Sequence, residues 1–219
     1  MRALVTGGTG RVGSAVAARL QAGGWSVLAA GRARGDLAVA AEARSLVAAA
    51  VDELGGLDLL VNGAAEGFIP RAVAEVTEAD WDAAFGATSK GTFFVTQAAA
   101  PHLRASRGVV VNIEDVAAYQ PWPSFAAHCA AKAAQAMLTR VLARALAPEI
   151  RVCGVAPGPV AVAADQEDRR AAETLLGRVG SPEDVAAAVV YMAGASFVTG
   201  TSLVVDGGRL LQSKALPPS

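Results

Sequence analysis

Three residues in the second half of the chain have side chains that can hold or transfer protons: Asp115, His128 and Lys132. His128 and Lys132 are four positions apart, and residues with that separation share one face of a helix. Histidine titrates near neutrality and can donate a proton without a special environment. We expect acid–base catalysis from these three residues. The alternative is that His128 is a hydrogen-bonded histidine in a disused cleft.

A second set of residues has the spacing of a phosphate-binding loop. The segment Thr6-Gly7-Gly8-Thr9-Gly10-Arg11-Val12-Gly13 lies directly between a predicted strand and a predicted helix. Glycines allow a tight turn there and let backbone N–H groups approach a pyrophosphate, which the helix N-terminus also attracts. Glycine clusters occur in ordinary turns as well. The strand–loop–helix context favours a dinucleotide, and the predicted contacts are Gly7, Thr9, Gly10, Arg11, Val12 and Gly13.

The residues after the second predicted strand bear on which dinucleotide binds. Arg32 follows this strand, and Arg34 lies two residues further along. An acidic residue here would accept the ribose hydroxyls of NAD, whereas an arginine suits the 2′-phosphate of NADP. The sequence therefore favours NADP(H) over NAD(H). The alternative is that both arginines are solvated loop residues.

The elements that must position these residues alternate between short apolar runs and amphipathic stretches, a pattern typical of a parallel α/β sheet. The predicted strands cover residues 3–5, 26–30, 57–62, 109–113, 151–155 and 202–205. The predicted helices cover residues 11–22, 40–54, 78–104 and 124–147, and another begins at 181–184. We predict one Rossmann-like, doubly wound domain over residues 1–211 and a flexible tail over residues 212–219.

Composition excludes several classes of protein. With 219 residues, 53% of them hydrophobic, the chain can bury a substantial single core. A net charge of -1 gives no support for a nucleic-acid partner, and no apolar run is long enough to span a membrane. The N-terminus enters a strand without a secretory leader, and Cys129 and Cys153 are too few for a disulfide framework. We expect a cytoplasmic protein without a metal site.

Taken together, these motifs resemble those of the short-chain dehydrogenase/reductase family over nearly the whole chain. Residues 6–13 are similar to its Thr-Gly-x-x-x-Gly-x-Gly pattern, and Val61-Asn62-Gly63-Ala64-Ala65 is similar to its Asn-Asn-Ala-Gly strand end. Pro157-Gly158-Pro159-Val160 resembles the loop that meets the nicotinamide in that family. Further similar segments lie at 90–97, 177–185 and 198–208. The resemblance implies cofactor contacts from Asn62, Gly63, Pro157, Gly158 and Val160.

The region after Arg32 is shorter than this resemblance requires. The family normally has a further helix and strand here, but only residues 33–39 precede the helix predicted from Ala40. A crossover between parallel strands needs a dozen or more residues. We therefore predict a sheet that lacks one edge strand and its helix, with a more open adenosine pocket. Asp36-Leu37 resembles the Asp-Val pair that contacts adenine at the end of the missing strand.

The resemblance also assigns roles to the proton-transferring residues. In the family, a tyrosine protonates the carbonyl oxygen as hydride arrives, and a lysine lowers the tyrosine pKa and holds the ribose. A serine and an asparagine complete the site. The matching positions here are His128, Lys132, Asp115 and Thr88, so only the lysine is retained. Aspartate at the serine position resembles the pteridine-reductase branch, where it helps to deliver a proton to the pterin ring.

These expectations leave more than one hypothesis open. The first is an NADP(H)-dependent reductase of a small carbonyl or pterin-like substrate, with His128 in place of the tyrosine. The second is a catalytically inactive relative that acts as a binding or partner subunit. Family members assemble through helices that match residues 78–104 and 124–147, which implies a homodimer or homotetramer, or a hetero-oligomer with an active relative. A third is non-redox acid–base chemistry in the same cleft.

Overall fold

In the computed structural model, which describes residues 1–66 and 68–212, six parallel strands form one sheet. The strands are β1 (Arg2–Thr6), β2 (Ser26–Ala30), β3 (Leu59–Asn62), β4 (Val109–Ile113), β5 (Arg151–Pro157) and β6 (Ser202–Val205). Their spatial order is β2-β1-β3-β4-β5-β6. The strand order reverses between β1 and β3, which is the place where open α/β sheets bind ligands.

Helices cover both faces of this sheet. They are α1 (Arg11–Ala22), α2 (Ala40–Leu54), α3 (Glu78–Phe85), α4 (Gly91–Ser106), α5 (Ala126–Leu146), α6 (Glu167–Ala171) and α7 (Pro182–Gly194). Side chains along a strand alternate between the two faces. In β1, Leu4 packs with α2, α4 and α5, whereas Ala3 and Val5 pack with α1 and α7. The predicted doubly wound fold is therefore confirmed.

The predicted loss of one edge strand is also confirmed. β2 lies at the edge of the sheet, and a single 3₁₀ turn (Arg32–Arg34) is the only regular element between it and α2. Residues 36–38 then run across the helical segment that follows α3. A Cβ on Gly86 would lie 2.8 Å from the Ala38 Cβ, and one on Gly91 would lie 3.1 Å from the Leu37 Cβ. The shortened connection therefore packs directly on that helical segment.

The prediction of one continuous helix over residues 78–104 was wrong, because the structure has two α-helices there. A π-helical turn (Gly86–Lys90) separates α3 from α4, and α4 continues to Ser106. Gly86, which begins this turn, and Gly91, which directly follows it, pack against Ala38 and Leu37. Hydrophobic periodicity does not reveal a contact of this kind. Within residues 1–66 and 68–212, no helix is long and apolar enough to cross a membrane.

The predicted tail is only partly described. Gln212 donates a hydrogen bond from Nε2 to the Ala172 carbonyl oxygen at 3.0 Å. Gln212, the first residue of the predicted tail, therefore contacts the body of the domain. The other residues of that predicted tail, 213–219, lie outside the described residues.

Candidate active site

The carboxyl ends of the strands open onto two neighbouring cavities. A smaller one of about 300 Å³ is lined by Thr9, Arg32, Asp36, Leu37 and Glu66 among others. A larger cleft of about 1030 Å³ holds Asp115, His128 and Lys132. Gly7, Gly10, Gly63 and Ala65 line both. The glycine loop therefore joins a nucleotide-sized cavity to the predicted catalytic residues.

The glycine loop is fixed by close backbone packing. Gly7 has a φ of +66°, and a Cβ on it would lie 2.5 Å from the Gly63 carbonyl oxygen. A Cβ on Gly13 would lie 2.2 Å from the Gly7 carbonyl oxygen. Gly10 caps α1 without a side chain, so no side-chain cap satisfies the N–H groups of Arg11, Val12 and Gly13. Such an end attracts a pyrophosphate.

The predicted adenosine residues surround the smaller cavity. Leu37 is buried in its wall, and the Asp36 carboxylate accepts a hydrogen bond from the Ala38 N–H at 2.9 Å. The Arg32 guanidinium contacts the carboxylates of Glu66 and Asp36. Its hydrogen bond with Glu66 raises the pKa of Arg32 above its usual value. A 2′-phosphate at this place would compete with two carboxylates for one arginine.

Asn62 and Gly63, at the end of β3, border the junction of the cavities. The Asn62 amide donates to Asn112 Oδ1 at 2.9 Å and to Thr96 Oγ1 at 3.0 Å. The Gly63 N–H donates to Thr6 Oγ1 at 3.1 Å. Gly63 lines both cavities, whereas Asn62 lies beneath the junction and braces the neighbouring strands.

The loop after β5 forms another wall of the larger cleft. Its predicted cofactor contacts Pro157, Gly158 and Val160 all line the cleft. A Cβ on Gly158 would lie 2.7 Å from the Asp206 Cα, so this loop packs closely on the segment after β6. Arg11 donates a hydrogen bond from Nη1 to the Ala161 carbonyl oxygen, which links the glycine loop to this wall.

Asp115, His128 and Lys132 are brought together as predicted. Asp115 follows β4, and the other two residues lie one turn apart on α5. His128 Nε2 lies 3.2 Å from Asp115 Oδ2, while Asp115 Oδ1 accepts the Ala117 N–H at 2.8 Å. His128 Nδ1 is buried and has no hydrogen-bond partner in the part of the chain that the structure describes. The geometry forms an aspartate–histidine pair at the base of the cleft.

Lys132 is almost wholly buried beside this pair. Its side chain is held by hydrogen bonds from Nζ to the Ile113 carbonyl oxygen at 2.8 Å and to Gln135 Oε1 at 3.0 Å. Loss of hydration lowers the pKa of Lys132, and the nearby carboxylates of Asp115 and Glu114 oppose that effect. The ammonium group is thus oriented by two neutral acceptors, and the negative charges of Asp115 and Glu114 lie nearby.

Thr88, at the position of the family's asparagine, lies in the π-helical turn. It is fully buried, and its hydroxyl oxygen has no hydrogen-bond partner among residues 1–66 and 68–212. No group of three or more metal-ligating side chains is found in the same residues.

The sequence did not single out Glu114 or Glu66. Glu114 is 2% exposed and accepts hydrogen bonds from Thr139 Oγ1 at 2.7 Å and from the Tyr119 hydroxyl at 2.9 Å. Burial raises the pKa of Tyr119. The only sequence signal for Glu114 is its place next to Asp115. Glu66 has no such signal, because its partner Arg32 lies 34 residues away.

Comparison with known proteins identifies the family. The family model described as enoyl-(acyl carrier protein) reductase matches residues 13–209. A 3β-hydroxysteroid dehydrogenase from Eggerthella lenta is 36% identical, covering 95% of this chain and 93% of that protein. Human dehydrogenase/reductase SDR family member 4 is 34% identical, covering 94% of this chain and 86% of that protein.

A solved structure agrees with these sequence matches. The 3-ketoacyl-(acyl-carrier-protein) reductase from Brucella melitensis, in complex with NADH, is 28% identical and superposes with a TM-score of 0.89. The match covers 95% of this chain and 97% of that one. With its six-stranded doubly wound sheet, its glycine loop and relatives matched along nearly their whole length, this chain belongs to the short-chain dehydrogenase/reductase family of oxidoreductases.

Proposed function

We propose that this protein reduces a small carbonyl or pterin-like substrate with NADP(H), using the Asp115–His128 pair as its proton donor. The observation that carries this proposal is the pair itself, 3.2 Å apart in the cleft that the glycine loop also lines. The family is shown by the comparisons. The substrate, the NADP preference and the exchange of histidine for tyrosine are our own inference.

The glycine loop is suited to hold the dinucleotide. Gly7 and Gly13 have no room for a side chain, so backbone N–H groups can approach a pyrophosphate closely. Asp36 and Leu37 line the smaller cavity and would contact adenine. Arg32 would bind a 2′-phosphate once it is released from Glu66. The bound cofactor would supply a hydride.

The pair acts as the acid when the imidazole carries both of its protons. As the carbonyl carbon accepts a hydride and the C=O π electrons move to oxygen, the Nε2 proton of His128 would pass to that oxygen. Because Nε2 also lies 3.2 Å from Asp115 Oδ2, the carbonyl oxygen would have to approach Nε2 beside that carboxylate. The products are an alcohol and neutral histidine, which regains its proton from water. The Asp115 carboxylate stabilises the imidazolium before transfer and fixes the ring orientation.

Lys132 supports the same step from beneath. Its Nζ is anchored on the Ile113 carbonyl oxygen and Gln135 Oε1. From there we expect it to bind the ribose, as the matching lysine does in the family. The resemblance of Asp115 to the pteridine-reductase branch is what keeps a pterin-like substrate within the proposal.

A second candidate is a non-catalytic partner subunit. On α5, Met137 and Val141 are 54% and 51% exposed, and they lie four residues apart on one helical face. Apolar surface of this kind favours assembly as a homodimer or homotetramer, or with an active relative. Assembly is compatible with catalysis, so only activity separates the two candidates.

The decisive experiment compares the parent protein with His128→Phe, Asp115→Asn and His128→Tyr. NADPH oxidation is followed with a panel of aldehydes, ketones, quinones and pterins, and nucleotide binding is titrated in parallel. Phenylalanine keeps the ring packing but removes the proton, so we expect about 100-fold slower turnover with unchanged NADPH binding. Asp115→Asn should slow turnover by about tenfold or more.

Two results would overturn the proposal. In the first, the parent protein binds NADPH but does not oxidise it with any substrate of the panel, while His128→Tyr gains activity. The site would then be intact but inactive in the parent protein. The other is an active parent whose rate is unchanged by His128→Phe, which would place the acid elsewhere.

A further inference from the structure

Three aromatic rings line the larger cleft beside His128. The Phe68 ring lies 4.9 Å from the His128 ring, edge to face, and stacks on Phe125 at 4.5 Å. The Trp122 ring lies parallel to the His128 ring, with the centres 6.4 Å apart. Phe68 is 54% exposed although it faces this cleft. The cleft therefore presents an apolar aromatic surface next to the proposed proton donor, suited to stack with a flat ring.

A cationic group lies beyond this aromatic surface. The Arg209 guanidinium carbon is 5.0 Å from the Trp122 ring centre, and the Arg209 side chain is only 12% exposed. Arg209 and Arg170 both contact the Glu173 carboxylate, each at 3.0 Å. These two arginines and one carboxylate together carry one net positive charge, and all three residues line the cleft. The carboxylates of Asp115 and Asp206 also lie close enough to act on Arg209. Loss of hydration lowers the pKa of Arg209.

Arg209 is held in position by its backbone. The Asp206 carboxylate accepts hydrogen bonds from the N–H groups of Gly208 and Leu210, both at 2.8 Å. These bonds fix the 3₁₀ turn that begins at Arg209. A guanidinium that is already oriented and partly dehydrated binds a carboxylate or sulfonate with a smaller entropic cost than a solvated side chain.

The arrangement also limits the distance between the two ends of a substrate. Arg209 lies against the Trp122 ring, and Trp122 lies beside His128, so the distance from the Arg209 guanidinium to the His128 ring cannot exceed the sum of these two separations. A benzene ring with a carbonyl group and an anionic group at opposite ends would extend between them. The carbonyl would reach Asp115 and His128 while the anion meets the arginines.

We propose that the substrate is an aromatic aldehyde or ketone that carries an anionic oxo group remote from its carbonyl. Its ring packs on Phe68 and Trp122, and its anion binds Arg209 with Arg170. This rests on the proposed function, because it names the substrate class of that carbonyl reduction. Glu173 competes with the substrate anion for both arginines and therefore weakens its binding.

The test uses binding as well as turnover. 4-Formylbenzoate and the neutral 4-methylbenzaldehyde are titrated against the NADPH-loaded protein by isothermal calorimetry, and steady-state reduction is measured with both. For Arg209→Met we expect 4-formylbenzoate to bind at least about tenfold more weakly, since a charged hydrogen bond contributes about 1.5–3 kcal/mol. Binding of 4-methylbenzaldehyde should change by less than about threefold.

Two further variants separate recognition from structural damage. Arg169→Met removes an equal charge from the same short helix as Arg170, but Arg169 is exposed and does not line the cleft, so binding should be unchanged. Glu173→Gln frees both arginines and should tighten 4-formylbenzoate binding by about threefold or more. A merely structural role for Glu173 would give weaker binding instead.

The outcomes distinguish this inference from the proposed function. Equal binding of the two aldehydes, or equal losses in Arg209→Met and Arg169→Met, would overturn the substrate class even if other carbonyls are reduced. Arg209-dependent binding of 4-formylbenzoate without any hydride transfer would support the anion subsite and contradict the proposed function.

Discussion

The nucleotide half and the reaction half of the cleft are built by different means. In the first, backbone meets backbone: side chains at Gly7 and Gly13 are excluded by carbonyl oxygens within 2.5 Å of where a Cβ would lie. In the second, side chains are held by one or two hydrogen bonds each: His128 contacts Asp115, and Lys132 donates to the Ile113 carbonyl oxygen and to Gln135. Backbone sterics therefore restrict substitution far more than a side-chain constellation does. The altered catalytic residues lie in the half that tolerates change.

The largest expected effect tests the backbone half. Gly13→Ala would force its Cβ to within 2.2 Å of the Gly7 carbonyl oxygen, displacing the loop that meets the pyrophosphate. We expect NADPH binding to fall by about 100-fold, since two or more charged hydrogen bonds are lost. Fluorescence titration measures this effect, and circular dichroism verifies folding.

Gly10→Ala is the matched control, because its Cβ would lie 3.3 Å from the same carbonyl oxygen. A much smaller loss is expected there. Equal losses in the two variants would break the comparison, since the steric difference would then have no consequence.

An intermediate effect tests the side-chain half through pH. The pKa of Lys132 is lowered in the folded state, so the folded protein binds fewer protons than the unfolded chain between that lowered value and 10.5. The contribution of Lys132 to the free energy of unfolding therefore rises with pH over that pH range. Lys132→Met removes the buried charge and should be more stable than the parent at neutral pH. The difference should narrow as the pH rises.

Thermal unfolding from pH 7 to 10 measures this difference. A gap of a few degrees is expected at pH 7, because about 1 kcal/mol corresponds to about 2–4 °C in a domain of this size. A gap that widens with pH would show that the ammonium group stabilises the fold.

The smallest effect sharpens the comparison at the edge of the nucleotide half, where side chains do contribute. Glu66→Gln removes one of the two carboxylates that contact Arg32, so a 2′-phosphate meets less competition. The ratio of NADPH to NADH affinity should rise by about two- to fivefold, the range for an exposed ion pair. Glu53→Gln breaks the similar Arg34 pair, which lies outside the cavity, and should leave the ratio unchanged. A ratio that moves toward NADH would contradict the assignment of Arg32 to the phosphate.

Much of the fold followed from local pattern. Five elements have the predicted bounds: strands β2, β4 and β6 and helices α1 and α2. Their bounds follow from signals that are local in the sequence, namely apolar periodicity within each segment and glycines close to its ends. The missing edge strand followed from the family resemblance together with chain length, since too few residues separate Arg32 from Ala40 to hold the expected helix and strand. The π-helical turn did not follow: it packs against residues 37 and 38, a tertiary contact that local pattern does not show.

The proton-transferring residues show the same division. The four-residue spacing of His128 and Lys132 placed them on one face of a helix, and a resemblance in motif brought Asp115 to them. The sequence could not predict which atoms of these residues meet. The contact of His128 Nε2 with Asp115 Oδ2 depends on how α5 packs beside the end of β4.

By itself, the sequence determined the doubly wound fold, the glycine loop and the types of residue in the cleft, because these depend on periodicity, chain length and local sterics. The tertiary structure alone decided which charges meet. Glu66 contacts Arg32, Glu114 accepts a hydrogen bond from Thr139, and Arg209 lies over Trp122, 87 residues earlier in the chain. Partners so far apart in sequence are brought together by loop positions on a folded sheet, which no local pattern records.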